Sequence, residues 1–445
     1  MPFSLGLPLM DDNVKKSNLP VYFAIMFFAK VLGPVVGLLI GGQLNKIYYN
    51  FSPPQGLSPR DPMWIGCWWL GFLIFGALLF FPSLALYLFP SDDLTANENE
   101  CHIRKSKKLN LVDKHLKDNE HLSAKDEFKE FLSTMWSLFH IPIYMGAVFG
   151  RILDVLAFKG FFVFLSKYLQ LQFDMPQHKI QQYVALVGIV GFALGVAAGS
   201  AIMKRLKLQG RKAATFVAVC SLFAALNSFT NAAVGCENVT SVIGKHGIMN
   251  GFNFTSCDTS CNCNGAPLYP VCDDTGNSFY SPCHAGCGLE GKEFKNCHND
   301  QCDSRFKLFF VFQSIGAFFG GMGVVPGMLI ILRSVPPEHR SVSLGFNGLV
   351  VSLFATLPSP VFWGKIYDMS CLHWPTFCGD RTAACQLYDM DELRIRIHVI
   401  YGAIRIISLL SDVWVIYWAK GLNRKPTLPE LEVKQLEEEA IHHTL

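Results

Sequence analysis

Residues 180–212 read IQQYVALVGIVGFALGVAAGSAIMKRLKLQGRK. Positions 180–203 contain no charged side chain, and the stretch 204–212 carries five basic residues and no acid. A bilayer core takes roughly 20 consecutive apolar residues as one helix. A short basic loop beside such a run marks the cytoplasmic side. The stretch therefore predicts one membrane span and its orientation together.

Seven further blocks pass the same length test: 20–44, 64–89, 142–168, 213–234, 306–332, 342–365 and 397–418. They lack the ten-residue alternation of a membrane barrel, so helices are what satisfies their backbone in lipid. The whole chain of 445 residues agrees, being 51% hydrophobic and 16% charged, against about 25% charged in an average soluble domain. That balance excludes a disordered chain and argues against one large water-soluble enzyme. The net charge of +3 is too small to call for a nucleic-acid partner. The fold class expected is an all-α polytopic membrane protein with about eight spans.

Counting outward from 204–212 places 45–63, 169–179, 235–305 and 366–396 outside. It leaves 1–19, 90–141, 333–341 and both termini in the cytosol. Glycosylation sequons at Asn50, Asn238 and Asn253 all fall in the external loops. The first block is too long for a cleaved signal peptide and lacks a small-residue cleavage site. Segment 90–141 begins polar and then sets Phe128, Phe131, Leu132, Met135, Trp136 and Phe139 on one helical face, the pattern of a helix lying in the inner membrane interface, with a partner groove as the alternative.

Nine of the fifteen cysteines lie close together: Cys236, Cys257, Cys261, Cys263, Cys272, Cys283, Cys287, Cys297 and Cys302. Cys371, Cys378 and Cys385 share the last external loop. An even dozen in an oxidising compartment predicts a disulfide-stapled module whose connectivity stays open. Zinc is the alternative, with His284 and His298 as further ligands. Cys67, Cys101 and Cys220 are left over as thiols. Within the cluster, PVCDDTGNSFYSPCHAGC (270–287) resembles a Kazal-type core. The crowding of its cysteines leaves no evident reactive loop, so a structural cap is expected rather than a protease partner.

The string DPMWIGCWWLGFL (61–73) places three tryptophans at a membrane entry, as an aromatic belt does. It also resembles the signature of the organic anion transporting polypeptides, matched at Asp61, Trp64, Gly66, Trp68, Trp69, Gly71, Phe72 and Leu73, with departures at Met63 and Cys67. GPVVGLLIGGQL (33–44) is similar to that family's fifth span, SKYLQLQF (166–173) to the end of its seventh, and RSVPPEHRSVSLGFNGLV (333–350) to the approach to its eleventh. The resemblance implies two six-helix bundles of the major facilitator type, of which this chain holds an incomplete set beginning after the fourth span. Phe279 stands at the Kazal tyrosine position, and Ser352 where many members have an arginine.

On that reading, 1–19 is the remnant of the loop before the fifth family span and 20–89 two helices of the N-terminal bundle. A cytoplasmic loop with an amphipathic helix occupies 90–141, three helices 142–234 and the Kazal-like loop 235–305. Three helices of the C-terminal bundle fill 306–419, before a cytoplasmic tail at 420–445. The resemblance further implies a plasma-membrane protein that carries large amphipathic organic anions without sodium, by alternating access and anion exchange. Its substrates would be bile salts, conjugated steroids, eicosanoids and thyroid hormones, its other partners a counter-anion and the lipid bilayer. The alternative expectation is a fragment that does not transport, or a membrane-tethered Kazal-like binding module.

Ionisable residues deep in a span cost about 2.5–3.5 kcal/mol each on insertion scales, so each calls for a partner or a function. Lys30, Arg151, Asp154, Lys159, Arg405 and Asp412 qualify. Arg151 and Asp154 are three apart, and Arg405 and Asp412 seven apart on nearly the same face, close enough for a shared network, with local pairing and substrate contact both open. Lys30 has no acid in its own helix, and Lys159 is about 140° around the helix from Asp154. Lys30, Arg151, Lys159 and Arg405 are the candidate substrate-binding residues. Gly188, Gly191, Gly195 and Gly199 form a small-residue stripe, repeated by Gly316 and Gly320, which allows close helix approach. Gly33-Pro34, Pro358 and Pro360 predict kinks. No phosphate-binding loop, HExxH or nucleophile elbow occurs, so neither catalytic residues nor a cofactor are expected.

Overall fold

The computed structural model describes residues 19–54, 64–85, 124–249, 268–272, 278–285, 300–336, 339–374, 376–377, 380–381 and 385–420. Asp61, Asn253, Cys101, Cys257, Cys261, Cys263, Cys287, Cys297, His298 and Cys378 lie outside them, as does the tail after Lys420.

The chain runs α1 (Leu19–Leu44), α2 (Trp68–Ala85), α3 (Ala124–Phe139), α4 (Pro142–Phe173), α5 (Gln177–Arg205), α6 (Gly210–Ala232), α7 (Val239–Met249), α8 (Gln301–Ser334), α9 (Arg340–Asp368) and α10 (Met390–Trp418). Local chemistry sets the ends. Pro142 opens α4 without wasting a backbone donor, and Asp174 closes it in the left-handed region at φ 52°. Asp389 caps α10 by accepting from the Glu392 N–H at 3.0 Å, and Asp391 and Glu392 face the positive end of the helix dipole. Lys204 and Arg205 lie in the last turn of α5, where the dipole favours cations.

Among the described residues, α1, α5, α6, α8, α9 and α10 are long and apolar enough to cross a membrane. The other two expected blocks differ for physical reasons. α2 spans 18 described residues. α4 has ample length at 32 residues but carries Arg151, Asp154, Lys159 and Lys167 within it. The predicted edges also shift: the block 397–418 is only the later part of α10, whose capped start at Met390 is too polar to register as a span.

Two apolar cores hold the bundle. One gathers Phe161, Leu165, Tyr168, Phe173, Phe306, Phe309, Trp363 and Ile397 at the end that carries the disulfides. The other gathers Phe23, Leu138, Tyr144, Val148, Met203, Leu329, Leu332 and Leu344 towards the basic 204–212 loop. On α4, residues 144–148 belong to the second core and 161–173 to the first. The stretch between them carries Arg151, Asp154 and Lys159, so the charges sit in a band between two hydrophobic layers.

Glycines bring the backbones together only at particular positions. A Cβ on Gly195 or Gly199 would strike the backbone of Phe318 or Met322 on α8, and one on Gly191 would meet Ser314. Gly321 answers them against Phe192 and Val196, whereas Gly188 and Gly320 have nothing within 4 Å. The predicted stripe is thus narrower than its sequence spacing. Pro358 and Pro360 fall where α9 passes out of a π-turn at Ser352–Thr356, an irregularity common at functional positions.

At the disulfide end, Cys236–Cys302 ties α6 to α8, and Cys371–Cys385 closes the loop between α9 and α10. Cys272 and Cys283 are also disulfide-bonded, which removes Cys283 from any zinc site. Cys67 and Cys220 are buried free thiols. Strands β1 (Val271–Cys272) and β2 (Ser278–Phe279) pair antiparallel, followed by one helical turn, Pro282–Ala285. Strands β3 (Cys371–His373) and β6 (Leu387–Tyr388) pair likewise, and β4 (Thr376–Phe377) with β5 (Asp380–Arg381). Ile243, Tyr280 and Leu387 pack in one small core, and Tyr280 donates to Gln386 Oε1 at 2.7 Å. The described parts of the two external segments therefore pack against one another.

Candidate functional site

α4 and α10 pack along much of their length because small residues line the contact. Gly150 lies against Ser408 and Ser411, and Gly146 against Trp414. Ser408 Oγ donates to Gly150 O at 3.2 Å, and Trp414 Nε1 to Pro142 O at 3.0 Å. Higher on α4, Trp363 and Ser359 of α9 both donate to Leu156 O, at 3.0 and 2.8 Å. This packing fixes the charged band.

Arg405 reaches across from α10 and forms an ion pair with Asp154 on α4. Its Nη2 also donates to Ser221 Oγ on α6 at 3.2 Å. The direct ion pair crosses from α10 to α4, while Arg151 with Asp154 and Arg405 with Asp412 interact electrostatically along their own helices. Arg151 interacts electrostatically with both Asp154 and Arg405.

Arg151 and Lys159 stay exposed on α4, and Lys30 on α1 is exposed as well. Arg151 and Lys159 both repel Lys30 electrostatically. Lys30 of α1 is thus within electrostatic reach of both α4 cations, and Arg405, the fourth candidate, pairs with Asp154. Phe158 and Phe162 stand on either side of Lys159 in the α4 sequence, with rings stacked at 5.6 Å and an interplanar angle of 24°. Phe158 is 48% exposed and Phe162 36%. The result is a face that offers positive charge and flat apolar surface side by side, the pairing an amphipathic anion requires. The i,i+4 spacing of the two phenylalanines was a readable signal for this surface; nothing in the sequence marked Ser221.

The tryptophan string forms a clasp rather than a free belt. Trp64 Nε1 donates to Asn45 O at 2.8 Å, and Trp69 Nε1 to Tyr49 O at 3.0 Å. Gly66 bridges Tyr48 and stands so close to Asn45 that a Cβ would lie 2.8 Å from the Asn45 Cα. Gly71 meets Leu44, and Cys67 is fully buried. Trp68 and Phe72 point outward, 65% and 75% exposed.

Asn50 is exposed, and its Oδ1 accepts from the Ser52 N–H at 3.0 Å. Asn238 is buried instead: its amide donates to Leu171 O and its Oδ1 accepts from the Ser241 N–H at 2.9 Å. The nitrogen that a glycan at Asn238 would occupy is thus engaged inside the fold.

Outside the spans, His284 is buried, with Nδ1 2.7 Å from Ser281 Oγ, and burial holds its imidazole below its ordinary value. The Lys245 ammonium beside Glu237 lowers that carboxyl, and Glu237 in turn raises Lys245. Burial also raises the Tyr280 hydroxyl.

Long apolar helices around a charged interior band define a multi-pass helical membrane protein. Residues 1–393 match the Organic Anion Transporter Polypeptide (OATP) family, and the chain belongs to that family. It is 28% identical over 458 residues to solute carrier organic anion transporter family member 1A5 of Rattus norvegicus, covering 93% of this chain and 66% of that protein. Member 1A1 of Mus musculus is 28% identical over 451 residues, covering 93% and 66%. Member 1C1 of Mus musculus is 26% identical over 452 residues, covering 92% and 62%. The chain spans about two thirds of the length of these curated relatives.

Proposed function

We propose that the chain carries organic anions across a membrane, binding them at the α1–α4 face formed by Lys30, Arg151 and Lys159 beside the Phe158–Phe162 pair. The observation that carries this reading is that Arg151 and Lys159 both act on Lys30 electrostatically, beside the exposed stacked rings of Phe158 and Phe162. An anionic head group between the cations relieves their repulsion, and the rings accept its hydrocarbon body. Arg405 tunes the site through Asp154 rather than touching the anion. The finer reading is sodium-independent alternating access with exchange against a counter-anion at the plasma membrane. Bile salts, conjugated steroids, eicosanoids and thyroid hormones are its substrate classes.

Support for a major-facilitator arrangement comes from the glycine-mediated contact of α5 with α8, a surface over which bundles could rock. The β1–β2 hairpin and the turn at Pro282–Ala285 support a Kazal-like cap on the external side, with the 204–212 loop in the cytosol. Uptake of a labelled sulfated steroid in sodium-free medium by cells expressing the chain tests the reading, with Lys30→Ala alongside. Uptake above vector control, reduced by the substitution, supports it. Uptake at the control level contradicts it.

A further inference from the structure

α5 ends at Arg205 and α6 begins at Gly210, and the turn between them is tightly built. The Leu208 N–H donates to Met203 O at 3.1 Å and the Lys207 N–H to Lys204 O at 3.4 Å. With Lys207 in the left-handed region at φ 47°, this is a Schellman motif, and Met203 and Leu208 meet its apolar requirement within the second core. Glycine is the usual residue at that position, because it lacks the Cβ that a left-handed backbone crowds. Here a lysine occupies it, so the turn keeps a charge where local conformation favours glycine.

That charge is one of five. Lys204, Arg205, Lys207, Arg211 and Lys212 are all exposed, and none of them forms an ion pair with a described residue. Gln209, at the N-cap of α6, places no side-chain acceptor on the first backbone N–H groups of that helix. An uncapped helix N-terminus adds its dipole and its donors to the attraction for an anion. Leu206, between Arg205 and Lys207, is exposed as well.

α3 ends in the same layer. Leu138 is buried in the second core with Met203, and Met135 packs against that core as Leu208 does, whereas Leu132, Trp136 and Phe139 are exposed. Lys125 and Lys129 of α3 are offset by Asp126, Glu127 and Glu130. The turn therefore supplies the positive charge and α3 the apolar surface. A phospholipid with an anionic head group matches both, since its phosphate and its chains part at the membrane surface.

We propose that the α5–α6 turn binds the head group of an anionic phospholipid of the cytosolic leaflet, with Leu206 and the exposed side chains of α3 against its chains. The inference rests on the cytosolic placement of this loop in the transport reading, and it concerns a site other than the α1–α4 face.

The test titrates dioctanoyl phosphatidylinositol bisphosphate into the purified full chain in detergent, followed by microscale thermophoresis, beside dioctanoyl phosphatidylcholine and free inositol trisphosphate. The bisphosphate lipid should bind with an affinity that weakens as salt is raised, and the neutral lipid should not bind. Lys207→Gly suits the left-handed turn, so it should keep or raise the melting temperature while lowering lipid affinity about fivefold. Lys207→Gly combined with Arg211→Gln and Lys212→Gln should lower it about a hundredfold. Trp136→Ala should weaken binding of the lipid and leave that of inositol trisphosphate unchanged. Wild-type lipid affinity in Lys207→Gly and in the triple variant, or equal binding of the neutral lipid, overturns the proposal. Inositol trisphosphate binding as tightly as the lipid also overturns it, and makes the turn a site for a soluble phosphate. No transported anion is present, so each of these failures leaves the transport reading standing, and steroid uptake at the control level with lipid binding intact overturns only that reading.

Discussion

Arg405 pairs with Asp154 across the α4–α10 contact, not with Asp412 seven residues along its own helix. Its side chain is 12% exposed and that of Asp154 34%. Removing one partner from a largely buried pair leaves the other uncompensated. Partial exposure of the carboxylate moderates the penalty. Asp154→Ala should therefore destabilise the purified protein by roughly 2–3 kcal/mol. Arg405→Met in the same chain should recover part of that loss. Thermal unfolding in detergent, arranged as a double-mutant cycle, measures the coupling; additive losses would mean that the two side chains do not depend on one another.

At the α5–α8 crossing, Gly195 meets the Phe318 backbone with no room for a methyl group. Gly195→Ala should cost about 1–3 kcal/mol through overpacking. Gly188→Ala, which meets nothing within 4 Å, should be neutral or slightly stabilising through its higher helix propensity. Paired melting curves of the two variants separate a contact position from a merely glycine-rich one.

Glycosylation follows exposure of the asparagine side chain. Asn50→Gln should remove one glycan and raise gel mobility, whereas Asn238→Gln should leave mobility unchanged and lower stability by about 1 kcal/mol through the lost hydrogen bonds. A mobility change at Asn238 would contradict its buried placement.

Acid should loosen the disulfide-bearing unit. His284 has its folded value depressed by burial, below the ordinary 6.5, so below about pH 6.5 the unfolded segment takes up a proton before the folded one does. The stabilisation is fully present above that value and is lost as pH falls through the lower folded value. Hydrogen exchange around Pro282–Ala285 should accelerate on acidification relative to the intrinsic rate. In His284→Gln this acid-dependent change should be much smaller.

Much of this fold was legible because bilayer helices need long apolar runs, and α1, α5, α6, α8, α9 and α10 each contain one. The charged band was visible residue by residue, yet its pairing was not. Helical spacing places Arg405 near Asp412, while the closer approach to Asp154 depends on Gly146 and Gly150 meeting Trp414, Ser408 and Ser411, a contact between distant segments. At Asn238, likewise, a sequon records three residues and cannot register the Leu171 carbonyl that takes its amide. The tryptophan string was legible as a signature, but its role as a clasp on Asn45 and Tyr49 required the turn that folds α2 back on α1.

The central claim is that the cations of the α1–α4 face hold the organic anion. Saturable uptake of a labelled sulfated steroid by Arg151→Gln and Lys159→Gln, at matched surface expression, tests it most directly. Loss of one charge-assisted contact of about 1.5–3 kcal/mol predicts a fall in apparent affinity of roughly tenfold to a hundredfold in each variant, with Arg151→Lys retaining more than Arg151→Gln. Unchanged affinity in both glutamine variants would contradict the account.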